Sequence, residues 1–349
     1  MANNKEINAL ISKLNKKFGD NALIMGESIE KLAVERIPTG SVALDIALGG
    51  GVPLGRFTQI SGALSSTKTT QCMHIVREAQ KMGLVCAWGD VEGTSDKEYF
   101  EQLGVDTEAL LYTRPNGLEE ITQMFLDMQQ SGLVHLAVWD SIEASSPIKE
   151  MDSTMDESVQ MGVKQKLLAE FFRKYQAFNN KLVREGKKPF TLIGINQLRE
   201  KIGAYGDAEY TPGGRAVGFT ASVDLRLRKG DWVTNGTGNN KCFVGQVVKF
   251  KVEKNKTYKR MQTGEFDFYY DENDLDIPVG YNDNFKSIVQ IGIERGLIER
   301  GGAWFFLNKG TEHEVKFQGQ DNLIAYLRAN EGIVDEIKKV ILEIDSKTV

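Results

Sequence analysis

Residues 57–70 read Phe-Thr-Gln-Ile-Ser-Gly-Ala-Leu-Ser-Ser-Thr-Lys-Thr-Thr. The first five residues are the apolar and β-branched mixture of a buried strand. Gly62 then opens a loop that runs into Lys68 and Thr69, and Cys72 to Met82 continues without Gly or Pro, as a helix does. Strand, loop and helix are the setting of a phosphate-binding loop, whose pattern is Gly, four residues, then Gly-Lys-Ser/Thr. Gly62, Lys68 and Thr69 fit. Thr67 stands where the second glycine belongs. A Ser/Thr-rich turn before a helix is the plainer alternative, and the flanking strand and helix argue against it.

The chemistry behind the pattern is electrostatic. A loop entering a helix offers backbone N–H donors and the positive end of the helix dipole to a phosphate chain. Lys68 adds a point charge near the outer phosphates, and Thr69 a hydroxyl for Mg²⁺. Glycine before the lysine lets the backbone turn back with φ above zero, which a β-branched threonine resists. Thr67 therefore implies strain of roughly 1–3 kcal/mol, a reshaped loop, or an engineered change.

Bulk properties narrow the class. The chain has 349 residues, 41% hydrophobic and 26% charged, as expected for a soluble protein of two or three domains. No apolar stretch is long enough to span a bilayer, and the N-terminus lacks a signal-peptide core. Cys72, Cys86 and Cys242 have no metal or redox spacing, so the cytoplasm is the expected compartment. His74, His135 and His313 are scattered. Net charge is −5, which leaves room for a local basic face: seven Lys/Arg against one acid, Glu253, between Lys241 and Arg260. Glu265 to Asp283 is acidic.

Organisation follows from periodicity. Ile7, Leu10, Ile11, Leu14 and Phe18 recur at helical spacing, with Gly19 as a stop. Strands are expected at 56–61, 84–89, 110–113, 133–140 and 190–196, with helices such as 119–131 and 161–184 between them. That alternation predicts a mainly parallel, doubly wound sheet. Segments 221–229, 242–253 and 265–271 alternate apolar and polar residues and read as antiparallel strands continuing it. After about Asp271, helices at 284–295, 321–330 and 334–344 and a short strand, Trp304 to Leu307, make a small α/β unit.

Ligands sit at the carboxyl ends of parallel strands. The 133–140 strand ends in Asp140, the form of a Walker B strand whose acid helps hold Mg²⁺. The 84–89 strand runs into Asp90-Val91-Glu92, where a carboxylate can activate water. The 190–196 strand ends in Asn196-Gln197, and a glutamine there can sense a γ-phosphate and signal to the following loop. That loop, Leu198 to Val217, holds Arg199, Lys201, Arg215 and four glycines. Its length favours a functional role.

Together these segments resemble the bacterial RecA recombinase family. The resemblance runs along nearly the whole chain, through Ile37 to Gly49, Asn196 to Gly203, Thr211 to Arg215, Lys254-Asn255-Lys256 and Gly301 to Trp304. It implies an α/β fold: a RecA-type P-loop ATPase core with a mainly parallel sheet extended by antiparallel strands, an N-terminal helix and a small C-terminal α/β domain. The expected divisions are a polymerisation helix and linker at 1–35, the core with two DNA-binding loops at 36–271, and the C-terminal domain at 272–349. The implied cofactors are ATP and Mg²⁺. Gly62, Ser65, Ser66, Thr67, Lys68, Thr69 and Thr70 would take the phosphates, with Thr69 and Asp140 at the metal. Glu92 would be the catalytic glutamate, Gln197 the γ-phosphate sensor, and Asp96 and Tyr99 the adenine contacts. Lys254 and Lys256 look like the pair reaching ATP on a neighbouring subunit, and Phe219 like an interface residue.

For DNA, the segments around 149–162 and 198–212 resemble the two loops lining a filament axis. Met161 and Ile202 match side chains inserted between base triplets. Gly162, Arg173, Arg199, Lys201, Gly213, Gly214 and Arg215 match the remaining contacts, and backbone contact suits sequence-independent binding. The implied partners are single- and double-stranded DNA, further copies of the chain in a helical filament, and single-strand-binding and mediator proteins, with no membrane. The implied activity is DNA-dependent ATP hydrolysis with strand exchange in recombination, repair and the SOS response. The sequence departs from the pattern at Ala63, Leu64 and Thr67 in the loop, at Gly93, at Gly218, and in lacking a long acidic tail. A DNA-binding filament protein with weak or absent hydrolysis is the alternative that Thr67 keeps open. A ring-forming relative is disfavoured by the N-terminal helix and C-terminal unit.

Overall fold

The computed structural model describes residues 4–19, 22–26, 34–152, 162–200, 209–236 and 241–346. Met161, Lys201 and Ile202 lie outside these residues. Helix α1 (Asn4–Phe18) buries none of its side chains, and Leu10 and Phe18 are exposed. Strand β1 (Arg36–Ile37) pairs with β2 (Val52–Pro53) around α2 (Val42–Leu48), a helix buried at every position. Ser41 caps its N-terminus, accepting from the Leu44 N–H, and Gly49 ends it in the left-handed conformation.

The centre is an eight-stranded sheet. In chain order its elements are β3 (Phe57–Gly62), α3 (Lys68–Lys81), β4 (Cys86–Asp90), α4 (Lys97–Gln102), β5 (Leu110–Thr113), α5 (Leu118–Ser131) and β6 (Leu136–Asp140). There follow α6 (Ile148–Asp152), α7 (Val163–Arg184), β7 (Thr191–Gln197), the short pair β8 (Arg199–Glu200) and β9 (Glu209–Tyr210), α8 (Arg215–Thr220), β10 (Val223–Asn235), β11 (Cys242–Asn255) and β12 (Thr263–Tyr269). Across the sheet the order is β12-β11-β10-β3-β7-β6-β4-β5. The expected parallel core is present, with one correction. Segment 221–229 was expected to be antiparallel, but β10 runs parallel to β3, Leu227 lying beside Gly62. Alternation of side chains fixes which face is buried, not strand direction. Direction is set by the crossover through α8; the antiparallel pairings expected here are those of β11 with β10 and with β12, so β11 alone runs against the rest of the sheet.

Both faces of the sheet are covered, as a parallel sheet requires. On one side Met73, Ile75 and Val76 of α3 pack with Ile60, Trp88, Val138 and Ile193. On the other, Phe125 of α5 and Phe171 and Phe172 of α7 pack with Phe57, Ala87 and Trp139. Strand β6 begins at Leu136 rather than at the expected 133, because Leu133 is exposed in the preceding turn.

The C-terminal elements are α9 (Asn284–Glu294), β13 (Ile298–Gly301), β14 (Trp304–Leu307), β15 (Val315–Gln318), α10 (Gln320–Ala329) and α11 (Glu331–Ser346). Sequence patterning found the helices and β14 but not β13 and β15, which complete a three-stranded antiparallel sheet. Their short, polar stretches carry little periodicity. The core of this unit also takes in Val42 and Ile46 of α2. Beside them the buried Asp45 accepts from Thr39 N at 2.7 Å, Thr39 Oγ1 at 2.8 Å and Lys338 Nζ at 2.6 Å. Burial raises the Asp45 pKa, and Lys338 works against that shift.

One buried histidine ties α3 to the segment before α9. His74 Nε2 donates to the Gly280 carbonyl at 2.7 Å, while Nδ1 has no partner. A proton added at Nδ1 would find no acceptor, and burial with Arg77 nearby lowers the His74 pKa to about 4. The unfolded chain therefore takes up a proton near pH 6.5 that the folded chain refuses until about pH 4. Stability present above that window is lost as the pH falls through it, at ~1.4 kcal/mol per pH unit. Urea unfolding is expected to show about 2 kcal/mol less stability from this group at pH 5 than at pH 7, and the difference is expected to be absent in His74→Gln.

Candidate nucleotide site and nucleic-acid face

The loop after β3 keeps the shape its sequence puts under strain. Thr67 stands at φ 63° and ψ 14°, the left-handed conformation that a glycine supplies freely, and Ser65 also has φ 57°. Thr67 is the N-cap of α3 but makes no capping hydrogen bond, and its Oγ1 is buried without a partner. The tight start of the loop needs Gly62, because a Cβ there would overlap the Leu227 carbonyl oxygen and Ser66 Oγ. Ser66 Oγ and Lys68 Nζ both donate to the Ala63 carbonyl, at 2.8 and 2.7 Å. From the neighbouring hairpin, Gln246 Nε2 donates to the Ser65 carbonyl at 3.1 Å.

The sheet brings the polar strand ends to this loop. Gly62 lies beside Gln197, and Asp90 beside Asp140. Thr69 Oγ1 donates to Asp140 Oδ2 at 3.1 Å, so the hydroxyl and carboxylate expected at a metal face each other. Burial, reinforced by Glu92, pushes the Asp140 carboxyl up to about 7, although the Thr69 hydrogen bond lowers it. Burial lowers the Lys68 pKa, and Asp140 and Glu92 work against that. Glu92 is exposed, and its Oε1 accepts from Ser141 Oγ at 2.7 Å and from Gln197 Nε2 at 3.4 Å. Thr70 Oγ1 and the Tyr99 hydroxyl are 3.1 Å apart, and Asp96 caps α4 by accepting from the Glu98 N–H at 2.9 Å.

Ser141 is a functional candidate that sequence reasoning missed, and Asp90 lay within the strand-end segment it marked but without a role of its own. Nothing in one dimension shows that the Ser141 hydroxyl meets Glu92 or that Asp90 meets Tyr112, since both partners come from other elements. Asp90 is buried and bonded to the backbone of the turn that carries Glu92. Burial would raise its pKa, but hydrogen bonds led by Tyr112 and Ser95 hold it below the ordinary carboxylate value.

No group of three or more metal-ligating side chains occurs among the described residues. The facing hydroxyl and carboxylate of Thr69 and Asp140 are a donor set that would fit a metal brought in with a phosphate chain, whose oxygens would supply the remaining ligands. Gly62 leaves the cradle open, Lys68 supplies charge, and α3 presents its N-terminus.

Lys254 and Lys256 are not at this loop. Lys254 Nζ donates to the carbonyls of Gly218 at 2.7 Å and Phe219 at 3.2 Å, and Lys256 Nζ to that of Phe219 at 3.1 Å. Phe219 itself is 70% exposed.

The expected DNA residues gather in part. Gly213 and Gly214 have φ 100° and 77°; a Cβ on Gly213 would meet Val217 of α8 at 2.9 Å and Leu168 of α7 at 3.4 Å, and one on Gly214 would meet Gln165 of α7 at 2.9 Å. Arg215 begins α8 and is exposed, and Gly162 caps the start of α7. Arg173 is exposed on α7, about two turns beyond Gln165. Arg199 pairs with Glu143, whose carbonyl accepts from Lys164 Nζ at 2.7 Å.

The RecA N-terminal domain family matches residues 5–274, and the RecA C-terminal domain family matches residues 286–344. The chain belongs to the RecA family. It is 37% identical over 340 residues to Protein RecA of Chloroflexus aurantiacus, covering 97% of this chain and 90% of that one. It is 36% identical to Protein RecA of Roseiflexus castenholzii over the same shares, and 36% identical to that of Heliobacterium modesticaldum, covering 93% of the latter. As a RecA family member it is a DNA- and nucleotide-binding protein of recombination and repair and a DNA-dependent ATPase that self-associates. Among the described residues no helix is long and apolar enough to cross a membrane.

One departure from the RecA pattern has a local reading: Gly93 has φ 68°, a conformation suited to glycine, whereas nothing in the structure explains the glycine at 218. Thr67 keeps the backbone of the loop but stores strain in it. Thr67→Gly releases about 1–3 kcal/mol of strain and costs ~0.4–1 kcal/mol in unfolded-state entropy. The expected outcome is a net gain of about 1 kcal/mol in stability, measured by denaturant unfolding without nucleotide.

Proposed function

We propose that this chain is an ATP-dependent DNA strand-exchange recombinase that assembles as a helical filament on single-stranded DNA and pairs it with homologous duplex. The observation that carries the reading is the convergence of Lys68, Thr69, Asp140, Glu92 and Gln197 at one edge of the sheet. Residues 62–70 would hold the phosphates through backbone N–H groups, with Lys68 swinging from the Ala63 carbonyl to the outer phosphates. Thr69 and Asp140 would hold Mg²⁺, and Asp96 and Tyr99 would contact the adenine. Bound Mg²⁺ supplies charge neutralisation across the phosphate oxygens. Glu92, held by Ser141, orients the attacking water and accepts its proton. Gln197 exchanges its long bond to Glu92 for one to the γ-phosphate and transmits the change to segment 198–217.

The position of Lys254 and Lys256 supports assembly. Lys254 pairs with Asp224, which lies beside Gln59, three residues short of Gly62. That separation is about 10 Å along the strand, with two strand spacings across the sheet. A lysine side chain cannot comfortably cover both to reach its own loop, so these residues suit the ATP of a neighbouring copy. Exposed Phe219 and the unpacked α1 suit the same contact. Arg173, Arg199, Arg215 and the backbone at Gly162, Gly213 and Gly214 would take DNA phosphates, with Lys201, Met161 and Ile202 completing the two loops. Single-strand-binding and mediator proteins in the cytoplasm are the partners this role calls for.

The test is ATP turnover with and without single-stranded DNA, alongside electron microscopy with DNA and an ATP analogue. Turnover is expected to depend on DNA, to fall at least ~100-fold in Glu92→Gln, and to accompany helical filaments. Turnover equal to that of Glu92→Gln, with filaments still formed, would favour the second reading, a DNA-binding filament protein that hydrolyses ATP poorly. The strain at Thr67 is the observation that favours it.

A further inference from the structure

Asp90 is the last residue of β4, two before Glu92, and is 1% exposed. Its Oδ1 accepts from the Gly93 N–H at 2.8 Å, and its Oδ2 from the Ser95 N–H at 3.0 Å and the Tyr112 hydroxyl at 2.6 Å. One carboxylate therefore grips the turn on the far side of Glu92. The near side is held separately, by the N–H groups of Val91 and Glu92 on the Asp140 carbonyl at 2.7 and 3.4 Å. Tyr112 comes from β5, the edge strand. Its hydroxyl accepts from Arg114 Nε at 2.8 Å, and Arg114 also stands 3.9 Å from Asp90 Oδ2. The chain of bonds thus runs from an exposed guanidinium through a phenol to a buried carboxylate, and from there into the turn that presents Glu92.

We propose that Asp90, Tyr112 and Arg114 form a positioning clamp for Glu92. The inference rests on Glu92 handling the attacking water. Tyr112 supplies a constraint that local sequence cannot, because it ties the Asp90 side chain to a different strand. An ionised Asp90 can only accept, and its three donors fix both oxygens. Losing the hydroxyl frees Asp90 to rotate and the 93–95 backbone to shift, and a displacement of about 1 Å at a catalytic group can cost up to ~100-fold in rate. The phosphate contacts of residues 62–70 are untouched by the same shift, and the adenine contacts Asp96 and Tyr99 belong to α4 and its cap, which Phe100 and Leu103 anchor in the core independently of the Tyr112 hydroxyl.

The experiment uses the full chain carrying Tyr112→Phe, which keeps the ring and its packing. DNA-stimulated turnover is measured against the affinity for a fluorescent ATP analogue. The expected result is a kcat lower by ~3–30-fold with analogue affinity within ~2-fold of the parent. Arg114→Met, at the exposed end of the chain of bonds, is expected to lose ~2–5-fold in kcat and serves if Tyr112→Phe does not fold. Unchanged kcat, or kcat and affinity falling together, would overturn the clamp. Glu92→Gln separates the two layers. If it turns over at the parental rate, the role of Glu92 fails and the clamp with it. If it is inactive while Tyr112→Phe is unimpaired, the clamp alone fails.

Discussion

Two carboxylates, Asp140 and Glu92, act on one partly buried ammonium, Lys68, at the carboxyl edge of the sheet, with a third, Asp90, beside Asp140, and the rest of the site follows from how the repulsion among these acids is managed. Each carboxylate has a different surrounding. Asp90 is buried but fully hydrogen-bonded, so it stays ionised. Asp140 is buried with a single hydroxyl donor and Glu92 beside it, so its proton is held up to about pH 7. Glu92 is exposed and steadied by Ser141 and Gln197. Environments that separate the properties of neighbouring acids allow one to anchor, one to meet a cation and one to work on water.

The same edge explains how the phosphate loop tolerates Thr67. The left-handed conformation there is unfavourable for a β-branched residue, yet the loop is pinned at both ends. Gly62 is squeezed between the Leu227 carbonyl and Ser66, and α3 is anchored by Met73, Ile75 and Val76 in the core. The backbone path is thereby over-determined, and the threonine conforms to it. The cost falls on stability and not on the direction in which the loop faces.

Some of this was legible in one dimension. The order of strands and helices through residues 57–197 followed from periodicity, because buried strands and amphipathic helices have different repeats. Gly62, Lys68, Thr69, Asp140, Glu92 and Gln197 were each marked by a strand end or a motif spacing. The direction of β10 was not legible, since alternation is the same for parallel and antiparallel strands. Nor were β13 and β15, whose short runs carry too few residues to show a period. The roles of Asp90 and Ser141 were hidden because their partners, Tyr112 and Glu92, come from other elements of the fold.

Local sequence thus determined the elements, the loop and the kind of ligand, because helix caps, repeats and phosphate-binding spacings act over a few residues. Tertiary structure alone decided which groups meet. Sheet register sets Gln197 beside Gly62 and Asp140 beside Asp90, though more than a hundred residues separate the first pair and fifty the second. It also brings the Tyr112 hydroxyl to Asp90 and carries Lys254 and Lys256 away from their own loop. Contacts of that range depend on strand order and crossover path, which are settled when the two faces of the sheet are buried together.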